Sequence, residues 1–267
     1  MDMYSSSSSG ARVRSRFHSG FCFLWVRMVS PRRTIVYIDA FNLYYRRLKG
    51  TPYRWLNIEA MCHRLLPDNQ VDRINYYTAR ITDADRFSRQ DVYLRALATL
   101  PSVTITYGRY LQHVVKRPLA NPTPGLPRYV DVIDNEEKGS DVNLATHLVL
   151  DGARNAFDVA VVISNDSDLQ EPVRVVRREL GKTVGIISPQ DGNNPINPQL
   201  RAHASFVKRI RDWALQQSLF PEVMSDSGGV FYCPPKWKGA VSSVEEPAQK
   251  NTRIAAPSPQ KNKKKRR

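Results

Sequence analysis

Apolar residues recur along the chain in short uninterrupted runs, each followed by a segment with helical spacing. The clearest run is Val159–Ile163, which holds five apolar residues and no polar one. A strand of this kind is typical of a parallel sheet that is covered on both faces. The next segment repeats apolar residues at the spacing of one helix face, namely Leu169, Val173, Val176 and Leu180. The pattern predicts a strand that leads directly into a helix.

The same alternation continues over roughly 180 residues and indicates βαβ units around a mostly parallel sheet, which is the α/β class. Ser140 is predicted to cap the helix that follows it. Four prolines and a glycine predict a loop over 112–128. The predicted strands cover 34–38, 71–81, 103–111, 159–163 and 183–189, and the predicted helices cover 55–66, 83–100, 138–155 and 169–180, followed by a helix, a short strand and a closing helix within 197–217.

The formal charge of +15 lies mostly at the two ends of the chain. Residues 1–33 hold six arginines against one acid, residues 241–267 hold eight Lys or Arg against two acids, and the span between them carries only +4. Such tails either solubilise a protein or bind nucleic acid, and their composition predicts disorder. We predict four regions: a disordered basic leader over 1–32, unless the natural start is Met28; a folded domain over 33–218; an extension packed on or near it over 219–239; and a disordered basic tail over 240–267.

Cysteine usage and hydropathy narrow the class of protein. Cys22, Cys62 and Cys233 are too widely spaced for a zinc motif or a disulfide framework, and this is typical of reduced thiols. No run reaches the roughly 18 apolar residues of a membrane span. We therefore expect a cytoplasmic protein that is not embedded in a membrane, and the sequence leaves a homo-oligomer open.

Four aspartates are predicted to meet at one edge of the sheet. Asp39 follows the first predicted strand directly, and Asp166 and Asp168 follow Val159–Ile163. The carboxyl ends of parallel strands lie at the same edge, where such sheets bind their ligands. Asp141 lies in the first turn of a predicted helix, on the face that its apolar residues turn inward. Carboxylates this close repel one another unless a hard cation such as Mg²⁺ or Mn²⁺ lies between them.

Each aspartate also has a local structural interpretation. Asp166 and Asp168 suit the N-cap of the following helix. Asp39 with Asn42 suits an Asx turn, and Asp141 suits the positive end of a helix dipole. It is the joint placement of the four carboxylates that favours a shared site.

Three segments resemble the signature blocks of the NYN domain family, a branch of the PIN-like nuclease superfamily. They are "TIVYIDAFNLYY", "EEKGSDVNLATHLV" and "VVISNDSDLQEPVRVVRRELGKTVGII", and the resemblance covers roughly residues 33–213. It implies a Rossmann-like three-layer α/β/α sandwich with a mostly parallel central sheet. The implied activity is endoribonucleolytic: RNA phosphodiester bonds are hydrolysed by a water that Mg²⁺ or Mn²⁺ activates in an acidic pocket.

The resemblance also assigns roles to individual residues. It implies that Asp39, Asp141, Asp166 and Asp168 are the catalytic metal ligands and that Asn42 accompanies Asp39. Ser164 matches the small hydroxyl residue before the last acidic pair, where it would orient ligands or water, and Glu137 is a further candidate acid. Lys138, Ser164 and Arg80 are candidate contacts to the RNA substrate. Arg46 and Arg47 either contact RNA phosphates or lie on an ordinary solvated helix face. Tyr44 and Tyr45 either stack on RNA bases or pack inward.

Two other functions remain open at this point. The first is an RNA-binding or regulatory protein of the same family whose pocket is catalytically inactive. Its basic tails would supply the affinity for RNA. The second is a metal-dependent phosphatase on a similar sheet. The sequence does not distinguish RNA from DNA as the substrate.

Overall fold

A computed structural model describes residues 31–81, 84–121, 128–190, 192 and 194–238. The predicted tail 240–267 and, except for residues 31–32, the predicted leader lie outside this range. Each helix within the described residues is too short or too polar to span a lipid bilayer.

A parallel sheet forms the centre of the fold. Its six described strands run in the order β3-β2-β1-β6-β7-β8, and every neighbouring pair is parallel. The strands are β1 (Arg32–Asp39), β2 (Asn69–Thr78), β3 (Val103–Tyr107), β6 (Val159–Ile163), β7 (Thr183–Ser188) and β8 (Phe206–Arg209). The mixed α/β class with a parallel sheet that the sequence predicted is therefore confirmed, and β6 has the predicted bounds.

Helices pack against both faces of the sheet. In the described chain they are α1 (Ala40–Leu43), α2 (Ile58–Leu65), α3 (Ala84–Ala98), α4 (Ser140–Ala153), α5 (Gln170–Arg178), α6 (Pro198–His203) and α7 (Asp212–Gln216). Successive residues of a strand point to opposite faces. Val36 and Ile38 accordingly lie in one core with α2, α3 and α7, whereas Ile35 and Tyr37 lie in a second core with α4, α5 and α6. Burial of β1 and β6 on both faces explains their uninterrupted apolar runs.

The loop predicted over 112–128 is wrong for residues 112–118, which form part of a strand, while residues 122–127 lie outside the described part of the chain. The third strand ends at Tyr107, and β4 (Arg109–Pro118) pairs with β5 (Tyr129–Lys138) in an antiparallel ribbon. Cross-strand hydrogen bonds hold the ribbon rather than a buried face, since Val114 and Ile133 are both exposed. Its sequence therefore has no clear periodicity, and its prolines misled the prediction.

Ser140 does not cap α4, contrary to prediction. Gly139 occupies the cap position with a φ of 95°, a left-handed conformation that favours glycine, and Ser140 is the first helical residue. The backbone N–H of Ser140 instead donates to the Glu137 carboxylate (3.1 Å). The first turn of α4 is thus satisfied by an acid from β5.

The segment after α7 returns to the first core. A hairpin of β9 (Val223–Asp226) and β10 (Gly229–Tyr232) is followed by a helical turn, Pro235–Trp237. Phe231 and Trp237 are buried in the core that contains α2 and α3. The guanidinium of Arg95 on α3 donates to both carboxylate oxygens of Asp226, which holds the hairpin against the domain.

Candidate functional site

The predicted acids converge where the order of the strands reverses. The chain runs from β1 outward through β2 to β3, then returns to β6 on the other side of β1 and continues outward to β8. Ile38 pairs with Ile163 at the carboxyl ends of β1 and β6. Asp39 and Ser164 follow these two residues and are therefore neighbours. Ligands of open α/β sheets bind at such a switch point.

A hydrogen-bond network holds Asp39 in place. Asp39 is only 5% exposed, and its Oδ2 accepts a hydrogen bond from the hydroxyl of Ser164 (2.9 Å). Its Oδ1 accepts one from the backbone N–H of Asn42 (2.9 Å). The Ser164 hydroxyl also accepts from the backbone N–H of Asp166 (3.1 Å). The fully buried Ser164 thus joins the first acid of the site to the loop that carries the last two.

Two asparagines connect the same loops. The side-chain oxygen of Asn42 accepts a hydrogen bond from the backbone N–H of Asn165 (3.1 Å). The Asn165 side-chain oxygen in turn accepts from the backbone N–H of Asn197, at the start of α6 (2.8 Å). Sequence reasoning missed Asn165, although its position between Ser164 and Asp166 was a signal.

Asp141 lies close enough to the other acids for their charges to act on it. Burial first, and then the negative charges of Asp39, Asp166, Glu137 and Asp168, raise its pKa from 3.8 to about 7. These carboxylates come from the ends of β1, β5 and β6 and from the first turn of α4. The structure therefore gathers the four predicted aspartates, and Glu137 with them, around one region.

The surroundings of Asp39 shift its pKa in both directions. Burial raises its pKa, the hydrogen bonds from Asn42 and Ser164 lower it, and the charges of Asp166 and Glu137 raise it further. The balance is a raised pKa. Among the described residues, none of the four aspartates forms an ion pair with a lysine or arginine.

The acidic side chains do not form a complete metal-binding site in this conformation. Within the described part of the chain, no three His, Cys, Asp or Glu side chains stand in a geometry that would hold a metal ion. The shift at Asp141 does not conflict with this, because charges act on a pKa over longer distances than a coordination bond. Part of the arrangement is local capping, since Asp166 Oδ1 accepts the backbone N–H of Asp168 (3.0 Å) at the turn Ser167–Leu169. Asp168 itself is exposed.

The predicted RNA contacts have different surroundings. Lys138 is exposed and pairs with Glu136 (3.2 Å). Arg80 pairs with Asp91 (2.9 Å) on α3, and its guanidinium lies over the ring of Tyr107. Among the described residues, neither cation forms an ion pair with the acidic cluster.

The residues after α1 separate into buried and exposed positions. Arg47 is 7% exposed and forms an ion pair with Asp212. Both interpretations that the sequence left open for it, an RNA contact and a solvated helix face, are therefore wrong. Arg46 is exposed, as is Tyr45 (51%), whereas Tyr44 is partly buried against the first core.

Comparison with known proteins gives a family and one curated relative. The model of the NYN domain family matches residues 33–208. The 6-hydroxy-3-succinoylpyridine 3-monooxygenase HspA of Pseudomonas putida is 30% identical over 192 residues, which are 61% of this chain and 62% of that protein. The chain therefore matches less than two thirds of the relative's length.

Two solved structures resemble the chain at low sequence identity. One is a protein of unknown function from Vibrio parahaemolyticus, with a TM-score of 0.45, 14% identity, and coverage of 71% of this chain and 97% of that one. The other is MurG from Acinetobacter baumannii, with a TM-score of 0.33, 13% identity, and coverage of 67% and 41%.

Proposed function

The chain belongs to the NYN domain family, and we propose that it is a metal-dependent endoribonuclease. The observation that carries the proposal is the convergence of five acids at the ends of β1, β5 and β6 and in the first turn of α4, where burial and the other four charges raise the pKa of Asp141 to about 7. Acids that destabilise one another in this way are suited to a site that binds a cation. The two cores on opposite faces of the sheet also support the three-layer α/β/α arrangement expected for this family.

The donors at the switch point fit Mg²⁺ or Mn²⁺. Both ions prefer carboxylate oxygens and retain water, and the cluster offers oxygen donors without Cys or His. Asp39, Asp141, Asp166 and Asp168 would hold the ion. Bound there, Mg²⁺ or Mn²⁺ would lower the pKa of the attacking water and neutralise the charge that develops on the phosphodiester.

The protein's own contribution is to position these acids. Ser164 and Asn42 each donate a hydrogen bond to a different oxygen of Asp39, so the orientation of that carboxylate is fixed before any ligand binds. The Asn42–Asn165 hydrogen bond holds the loops after β1 and β6 at a constant separation. Preorganisation of this kind lowers the cost of assembling the reactive geometry.

Substitution of single acids tests the proposal. We expect Asp39→Asn and Asp166→Asn to reduce Mn²⁺-dependent cleavage of a fluorescent RNA oligonucleotide at least about 100-fold, while the melting temperature does not fall. EDTA should abolish the wild-type activity. Asp72→Asn is the matched control, because Asp72 is exposed near the amino end of β2 and should retain full activity. Full activity in Asp39→Asn would contradict a metal-dependent nuclease at this site.

The alternative within the family is an RNA-binding protein without turnover. Deletion of residues 241–267 separates it from a nuclease. A nuclease should retain metal-dependent cleavage of a short oligonucleotide at low salt, whereas a binder that depends on its basic tail should lose most of its affinity. A phosphatase would hydrolyse small phosphomonoesters in preference to RNA.

The name of the Pseudomonas putida relative favours a second candidate, oxygenation of a small aromatic acid. Oxygen consumption with 6-hydroxy-3-succinoylpyridine and an added two-electron reductant tests it. Turnover in that assay that survives Asp39→Asn, with no cleavage of RNA, would replace the nuclease proposal.

A further inference from the structure

A cavity of about 780 Å³ lies beside the acidic cluster, within the usual range of roughly 300–1,000 Å³ for small-molecule sites. Its walls come from α1 and the turns after it, the carboxyl end of β2, α3 and the C-terminal turn Pro235–Trp237. Ala40 and Phe41 form part of the wall and directly follow Asp39. The cavity and the acidic cluster therefore adjoin at the end of β1.

Aromatic rings line much of this cavity. They are Phe41, Tyr44, Tyr45, Tyr76, Tyr93 and Trp237. The rings of Phe41 and Tyr45 are close to parallel, at 18° with centroids 6.4 Å apart. Tyr45 is 51% exposed, so much of its ring is not used for packing in the core. An exposed ring in an aromatic cavity offers a stacking face to a planar ligand.

The lining is also strongly cationic. Among the described residues that line the cavity none is acidic, and six are Lys or Arg: Lys49, Arg54, Arg86, Arg89, Lys236 and Lys238. The Lys49 ammonium lies 5.4 Å from the centroid of the Tyr45 ring. A cation beside an exposed aromatic face suits a ligand that has a planar ring and an anionic group.

Tyr76 connects the cavity to the acids. It lines the cavity and is only 6% exposed. Burial first, and then the charge of Asp39, raise its pKa. Tyr76 therefore lies within electrostatic reach of Asp39 and offers a hydroxyl donor close to the acids.

We infer that this cavity binds one nucleotide of the RNA next to the bond that is cut, with the base against Tyr45 and a phosphate on Lys49. The inference rests on the proposed nuclease function for the identity of the ligand. The cationic cavity would hold the nucleotide, and the adjacent acids would act on the neighbouring phosphodiester. The cavity, rather than the acidic cluster, would then determine which bases are accepted.

Binding of mononucleotides to the full chain in EDTA tests the inference without requiring cleavage. Ligand-observed NMR titrations compare nucleoside 5′-monophosphates with ribose 5-phosphate. We expect the base to strengthen binding about tenfold or more, and Tyr45→Ala to remove that gain, since stacking on an aromatic side chain is a substantial part of single-strand affinity. Lys49→Ala should weaken nucleotide binding several-fold and reduce its dependence on salt.

Two exposed residues outside the cavity provide matched controls. Tyr232→Ala removes a tyrosine that is 59% exposed on β10, and Lys116→Ala removes an exposed lysine of the ribbon. Both should leave nucleotide binding unchanged. Equal affinities of Tyr45→Ala and Tyr232→Ala, or equal binding of ribose 5-phosphate and nucleotides, would overturn the inference. So would a pyridine carboxylate that binds more tightly than any nucleotide, because the cavity would then be built for a small aromatic acid.

The outcomes for the cavity and for the nuclease are separable. Base-dependent binding that Tyr45→Ala removes, in a protein that does not cleave RNA, would support the cavity and contradict the proposed nuclease. RNA cleavage whose KM is the same in Tyr45→Ala and Tyr232→Ala would support the nuclease and overturn the cavity.

Discussion

Replacement of Asp141 by asparagine should stabilise the protein when no divalent cation is present. The carboxyl group of Asp141 has a pKa of about 7 in the folded protein against an ordinary value of 3.8. The folded state therefore binds this proton more tightly than the unfolded state does. Its contribution to stability is most favourable below pH 3.8, falls as the pH rises from 3.8 to 7, and stays constant above that.

The size of the effect follows from the same two values. The difference corresponds to about 4 kcal/mol at pH 8 as an upper limit. Asp141 is partly exposed, and solvent screening reduces the penalty to about 2 kcal/mol. Asparagine retains the shape of the side chain without the charge. For a domain of this size, Asp141→Asn should raise the melting temperature by about 4–8 °C at pH 8.

Thermal unfolding in EDTA at pH 8 and pH 4 measures this effect. The stabilisation by Asp141→Asn should be large at pH 8 and small at pH 4, where the wild-type carboxyl group is protonated in the folded state and therefore carries no charge among the other acids. Mn²⁺ should narrow the difference at pH 8, because it would bind the wild-type site and stabilise the folded state. Asp72→Asn should change the melting temperature little at either pH. A destabilising effect of Asp141→Asn at pH 8 would refute the idea that the acids repel one another.

Two further substitutions probe the positioning of the acids. Ser164→Ala removes the buried hydroxyl that donates to Asp39. It should lower the free energy of unfolding, measured by urea denaturation, by about 1.5–3 kcal/mol. Unchanged stability would mean that the network does not hold Asp39. Gly108→Ala would place a Cβ against the Glu137 carboxylate and 2.7 Å from the backbone oxygen of Lys138. We therefore expect the free energy of unfolding to fall by about 1–3 kcal/mol and RNA cleavage to weaken. Wild-type melting and activity would show that the ribbon shifts freely.

Sequence reasoning placed most of the candidate acids at strand ends because the relevant signals are local. A buried strand appears as an uninterrupted apolar run, and the residue that ends it appears next in the chain. Asp39, Asp166 and Asp168 were therefore assigned to strand ends, and the rule that parallel strands share an edge brought them together. The apolar spacing around Asp141 likewise predicted its place in the first turn of a helix. Ser164 required the family resemblance, and its link to Asp39 emerged only from the pairing of β1 with β6.

Sequence reasoning failed where a residue's role depends on a partner far along the chain. Arg47 looked like a surface cation, yet it is buried against Asp212, 165 residues away. The ribbon β4–β5 has no apolar face that a pattern could reveal, and Glu137 approaches the acids because that ribbon brings it back to α4. The cap at Gly139 depends on the same return of the chain.

By itself, then, the sequence determined the class of the fold and the strand ends that carry the acids, since apolar periodicity and chain order are properties of neighbouring residues. Only the tertiary structure decided how closely the acids act on one another, as the pKa of Asp141 reflects charges from β1, β5 and β6. It also decided that a cationic aromatic cavity lies beside them, with walls from segments as distant as Phe41 and Trp237. Such features depend on packing between remote segments, which no local pattern encodes.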